Sequence, residues 1–161
     1  MRLVAGIILL VLAACGSEDI VQQDIPPLYK YSELKSAMAD ATSTADVFWE
    51  HFENPNLGEE RFRVKIALES DAYKRDFVWV EYLQENGAPG EWRGAVSLED
   101  GGNDRFRTGD TLAFNESAVV DWAYHDNGKI RGGYTTRAML TIPKNADTSA
   151  IEDLYHESPV P

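Results

Sequence analysis

The sequence predicts an α+β fold: an amphipathic N-terminal helix packed on a mostly antiparallel sheet of about six strands, either strongly curved or a partly closed barrel. Three observations lead there. Between Ser32 and Phe52 the apolar residues recur at steps of three and four, the period of one helical face. From Phe62 onward the period drops to two, the signature of half-buried strands. Turn residues then separate one short alternating segment from the next, so neighbours in sequence pair antiparallel.

The helical face carries Leu34, Ala37, Met38, Ala41, Ala45, Phe48, Trp49 and Phe52. Ser32 suits the N-cap, with Glu33 at the positive end of the helix dipole. Asn54-Pro55-Asn56 stops the helix, and Thr42-Ser43-Thr44 marks where a break would fall. In the first strand Phe62, Val64, Ile66 and Leu68 alternate with Arg61, Arg63, Lys65 and Ala67. Residues 77–83 form an apolar and aromatic run broken only by Glu81, which reads as a central strand. A Gly- and Pro-containing turn at residues 85–90 leads to a third strand, with Trp92, Gly94, Val96 and Leu98 on one face. A Gly-rich acidic loop spans residues 99–104. Short strands follow at residues 111–114 and 118–124. Asp126-Asn127-Gly128-Lys129 then turns a hairpin into residues 130–134. Residues 135–140 suit a short helix, and residues 148–156 one further turn. Gly94, Gly132 and Gly133 are candidate bends or bulges.

The leader reads separately. Arg2 precedes an uncharged apolar run over residues 3–14, shorter than the ~20 residues a membrane-spanning helix needs. It suits the hydrophobic region of a signal peptide. Leu12-Ala13-Ala14-Cys15 resembles the bacterial lipobox, in which the cysteine sulfur is acylated and becomes the mature N-terminus. The expected organisation is a lipoprotein signal peptide at residues 1–14 and a tether at 15–29. The α+β domain follows at 30–142, and then a polar C-terminal tail at 143–161. Cys15 is the one cysteine, so a disulfide framework, a thiolate metal cluster and a cysteine nucleophile are excluded. The expected location is the cell envelope, lipid-anchored and facing the periplasm. Gly16 after the cysteine favours the outer membrane over the inner.

The chain carries 15 basic and 27 acidic residues, a net charge of −12. That balance opposes nucleic-acid binding, and no nucleic-acid partner is expected. The three histidines fall in no metal-ligand spacing, and no glycine pattern makes a phosphate loop. No metal and no cofactor are therefore expected.

Several features together resemble one bacterial family. The helix ends in Phe48-Trp49-Glu50 and Asn54-Pro55. Phe62-Arg63-Val64-Lys65, Val78-Trp79-Val80 and Gly94 follow in successive strands. Then come Thr108-Gly109-Asp110, Val120-Asp121-Trp122 and Gly132-Gly133-Tyr134-Thr135-Thr136-Arg137. In this order and spacing, over residues 36–140, they resemble the YegJ-like family, a bacterial domain of unknown function. The resemblance implies a fold and a bacterial origin and no activity.

Four constellations could carry function. Asp121 and Trp122, just before the hairpin, and Arg137, beyond it, could form an Asp–Arg pair beside an indole face and hold a polar or cationic ligand. The competing reading is a structural pair, the commoner role of buried charges, with Trp122 in the core. Arg61, Arg63 and Lys65 make a basic stripe that Arg93 extends if its strand is a neighbour. The stripe suits an anionic ligand or acidic partner, or else pairs across strands with Glu81 and Glu91. Asp110 is either a site carboxylate or a turn residue after Gly109. The four tryptophans line either a binding groove or the core. The leading expectation is a non-enzymatic envelope module that binds a protein or small ligand and meets the membrane through the lipid on Cys15. The alternatives are an envelope hydrolase using Asp110, Asp121, His125 or Arg137, and an inhibitor or immunity-type protein that holds a basic partner.

Overall fold

A computed structural model describes residues 32–68, 76–98, 105–141 and 147–161. The expected signal peptide, Cys15, the expected tether and the acidic loop expected at 99–104 lie outside these residues.

The predicted helix forms and breaks at the hydroxyl cluster, giving α1 (Ser32–Ser43) and α2 (Ala45–Glu53). Three side chains compete there for helix carbonyls. Thr42 Oγ1 donates to Met38 O at 2.8 Å, Ser43 Oγ to Asp40 O at 2.8 Å, and Thr44 Oγ1 to Asp40 O at 3.1 Å. Such back-bonding draws carbonyls away from the helical ladder. The α1 residues Leu34, Ala37 and Ala41 and the α2 residues Phe48 and Trp49 are buried against the sheet, as the three-and-four spacing requires.

Six strands follow: β1 (Glu59–Leu68), β2 (Asp76–Glu85), β3 (Glu91–Ser97), β4 (Thr111–Asn115), β5 (Val119–Asp126) and β6 (Lys129–Gly132). They form one antiparallel sheet, curled into a half-barrel, in the order β4-β3-β2-β1-β5-β6. A short helix α3 (Tyr134–Thr141) and a single turn α4 (Ser149–Glu152) complete the fold. The α+β expectation holds.

One sheet face carries Val64, Ile66, Val80, Trp92, Phe114, Trp122 and Tyr124 into a core shared with α1 and α2. Aromatic rings interlock there: Phe48 lies 5.9 Å from Trp122, and Trp49 stacks on Trp92 at 4.5 Å. The helix break and this core are coupled. Ala41 O, near the break, accepts the Trp122 indole N–H at 3.0 Å, giving a fully buried polar atom its partner.

The outer edge of β6 is covered. Ile130 N donates to Leu154 O at 2.8 Å, His156 N to Ile130 O at 3.1 Å, and Gly132 N to Pro159 O at 2.8 Å. Arg131 adds bonds to the carbonyls of Ser158 and Val160. Residues 154–160 of the polar C-terminal segment thus blunt an edge that would otherwise offer unpaired backbone. No helix of the described residues is long and apolar enough to cross a membrane.

Candidate functional site

The second face of the sheet holds part of the sequence-derived set. Asp121 on β5 and Lys65 on β1 are directly paired residues, 0% and 7% exposed. Asp121 Oδ1 accepts Trp122 N at 2.8 Å and Tyr134 N at 3.1 Å. Its Oδ2 accepts Thr135 N at 2.8 Å and Thr135 Oγ1 at 2.5 Å. Lys65 Nζ donates to the same Thr135 hydroxyl at 3.0 Å. The order Lys65, Thr135, Asp121 is therefore a buried charge-neutral relay. It satisfies the first N–H groups of α3, which have no partner within their own helix. Burial pushes the Asp121 carboxyl above its ordinary value, opposed by the bonds from Thr135 and the charge of Lys65.

The Asp121–Arg137 pair is not formed. Asp121 is taken up by the start of α3. Arg137 turns to backbone carbonyls instead: Gly132 O at 2.7 Å, His156 O at 2.9 Å and Ile130 O at 3.3 Å. Its guanidinium lies 4.6 Å from the Tyr155 ring centroid. Arg137 thereby ties the C-terminal segment to β6. Trp122 points to the opposite face of the sheet, into the core, because successive strand residues alternate. It is not an indole wall beside these charges.

The basic stripe divides. Arg63 and Lys65 flank Trp79, each 4.9 Å from its ring centroid, in a cation–π arrangement on the second face. Trp79 is itself 5% exposed, so this cluster is largely packed. Arg61 and Arg93 lie elsewhere, exposed to solvent. All four tryptophans are buried, so they line no open groove. Asp110 is a turn residue: its Oδ2 accepts Arg107 N at 2.8 Å, next to Gly109 at φ +92. Among the described residues no group of three or more His, Cys, Asp or Glu is placed to hold a metal ion.

A second constellation lies where the sheet splits. The β1–β2 ladder ends at Arg63 opposite Glu81. Beyond that point β1 stays with β5, and β2 stays with β3. Register shifts fall at the split, between Glu60 and Arg63 on β1 and between Glu81 and Gln84 on β2. Each shift holds a non-glycine residue in the left-handed region: Arg61 at φ +56 and Tyr82 at φ +55. That conformation costs a residue with a Cβ about 1–2 kcal/mol. On β2 it resets the alternation. Val78 and Val80 face the core, so an unbroken strand would send Tyr82 inward and Leu83 outward. Instead Leu83 is buried and Tyr82 is 76% exposed.

Tyr82 stands between two cavities. One of about 330 Å³ is lined by the apolar Phe52, Phe62 and Leu83 together with Glu60, Arg61 and Glu81. The other, about 240 Å³, is lined by Gln84, Arg93, Gly94, Ala95 and Thr111. Gly94 is required there by contact: a Cβ would come within 2.6 Å of the Glu81 carbonyl and of a Val80 methyl. Among the described residues that line the second cavity Arg93 alone is charged, and it donates to Gln84 Oε1 at 3.1 Å.

Residues 31–149 match the family described as an uncharacterized protein conserved in bacteria, DUF2314. The chain belongs to this family. No curated protein matches it, and no solved structure does. The DUF2314 region includes the Asp121 relay and the whole Tyr82 ridge. Tyr155 and His156, which receive Arg137, lie beyond it.

Tyr82 was not singled out by the sequence. The available signal was the adjacent pair Tyr82-Leu83 in a strand of period two, since only one of them can face the core. That pair marks a slip in phase and leaves open which residue turns outward.

Proposed function

We propose that this DUF2314 chain is an envelope lipoprotein, anchored through Cys15, whose domain is a non-catalytic binding module engaging its partner across the Tyr82 ridge. One observation carries the reading. Two neighbouring strands keep strained backbone at the same level of the sheet, and the result is an exposed aromatic ring between two cavities. Backbone strain persists where the surrounding structure enforces it and clusters at functional sites. An exposed Tyr beside Arg is also the composition enriched at interface hot spots. The finer likeness to the YegJ-like proteins rests on the order of motifs from Phe48 to Arg137.

The hydrolase reading has less support. Asp110, Asp121 and Arg137 are engaged in turn, helix-start and carbonyl bonds. The inhibitor reading draws on the net charge of −12, which suits a basic partner.

Two measurements test the proposal. Palmitate labelling of the wild type and Cys15→Ser should show label only in the former; label retained without Cys15 would remove the anchor. A photo-crosslinking residue at position 82 should then give a discrete envelope adduct that one at Lys35, exposed on α1, does not. Identical adduct patterns from the two positions would exclude the ridge as the contact.

A further inference from the structure

The size, shape and charge of the two cavities say what kind of partner fits the ridge. This step rests on the binding-module reading. At about 330 and 240 Å³ they sit at or below the small end of ligand-site volumes, about 300–1,000 Å³. Each can take a single large side chain. They lie on either side of one exposed ring, so an occupant that fills both must be elongated and must cross Tyr82.

The lining differs between the two. The larger cavity presents the apolar rings and branches of Phe52, Phe62 and Leu83, with Arg61 set against two carboxylates, Glu60 and Glu81. Its chemistry suits an apolar group. Among the described residues the smaller cavity holds a single charge, the exposed Arg93 guanidinium, beside Gln84 and Thr111. It suits one carboxylate, which guanidinium binds through paired N–H donors. The split of the sheet supplies a further element. The β1–β2 ladder ends at Arg63 and Glu81, so the strands part at the larger cavity. Main chain left unpaired at such a split would hydrogen-bond an extended chain as a free strand edge does.

We infer that the ridge docks an extended segment of a partner protein, with an apolar side chain in the Phe52–Phe62–Leu83 cavity and a lone carboxylate on Arg93. A run of acidic residues does not fit. The chain carries a net charge of −12, and Glu60 and Glu81 stand at the larger cavity, so a polyanionic segment is repelled. Tyr82 supplies the rigid aromatic contact between the two side chains, at low entropic cost.

The test uses the full chain in detergent and a displayed library of random linear decapeptides. Enriched peptides should share one aliphatic or aromatic residue and one Asp or Glu. A synthetic consensus peptide should lose about tenfold in affinity on Tyr82→Ser. With Arg93→Glu as bait, the enriched charge should invert from acidic to basic. Both positions are exposed, and thermal melts of the variants should match wild type. No enrichment, or consensus binding unchanged in both variants, overturns the proposal. If the library gives nothing while the position-82 crosslink to an envelope protein persists, the linear-segment inference fails and the binding module survives. If both fail, the ridge is not a binding face.

Discussion

Two regions of the same sheet draw on the same basic stripe and use it in opposite ways. Around Asp121 the β1–β5 register also shifts, between Lys65 and Ile66, yet the lysine is folded into a network in which each charge has a fixed partner. Around Tyr82 the ladders slip, the strands part, and Arg61 and Arg93 stand in solvent beside a ring that normal alternation would bury. A buried, fully bonded charge holds the fold together and is unavailable to a partner. The strain that turns Tyr82 outward also seats Leu83 in the core, and it leaves the exposed ring available to a partner. The role of a cation in this protein is set by the backbone geometry beneath it rather than by its place in a charge pattern.

The largest expected effect belongs to the first region. Asp121→Ala removes the acceptor of four hydrogen bonds and a buried carboxylate charge that acts on Lys65. Loss of about 3–5 kcal/mol is expected in urea or thermal unfolding. A variant as stable as wild type would end the description of this network as structural. Next is Gly132→Ala at the turn that delivers α3 to Asp121. Gly132 has φ +68, and an added Cβ would collide with the Trp122 carbonyl, so a loss of more than about 1 kcal/mol is expected.

The pH dependence is smaller and has a defined sign. Burial alone would raise the Asp126 carboxyl. The bonds from Arg131 and Asn127 and the charges of His156 and Arg131 outweigh it and hold the group below its ordinary value. Glu59 is likewise held low, with the bonds from Asn56 and His51 outweighing burial. Depressed carboxylates contribute stability that is fully present above their unfolded values, near pH 4. That contribution is lost as pH falls through the lower folded values. Acid unfolding of Asp126→Asn should accordingly fall off less steeply below about pH 4 than wild type. Equal slopes would show that this pair contributes no linkage.

The smallest effect sharpens the contrast most. Tyr82→Gly relieves the left-handed strain of β2 and should raise stability by up to about 1 kcal/mol, while abolishing the position-82 contact. A clear loss of stability instead would mean that Tyr82 is held for the fold, and the ridge would lose its functional argument.

Periodicity made most of the fold legible. Steps of three and four located α1 and α2, and the hydroxyls of Thr42, Ser43 and Thr44 marked the break between them. Alternation located β1 and β3, an apolar run located β2, and Asn127-Gly128 placed the last hairpin, each to within a few residues. The candidate site was legible only in part. Lys65 and Asp121 do meet, since both lie on one face of adjacent strands. Their link through Thr135 was hidden, because it needs the turn at Gly132 and Gly133 to bring α3 back to β5.

What the sequence determined by itself, then, is local: which segments are helix or strand, which side of each is apolar, and where the chain turns. These follow from side-chain spacing and from the few residues that tolerate unusual backbone angles. Tertiary structure alone decided that Arg137 serves carbonyls rather than Asp121, and that the sheet splits at Arg63 and Glu81. It also decided that Tyr82 faces outward in place of Leu83. The physical reason is that register shifts arise from how strands fit beside one another on a curled sheet. A one-residue slip reverses the facing of every residue after it without changing a letter of the sequence.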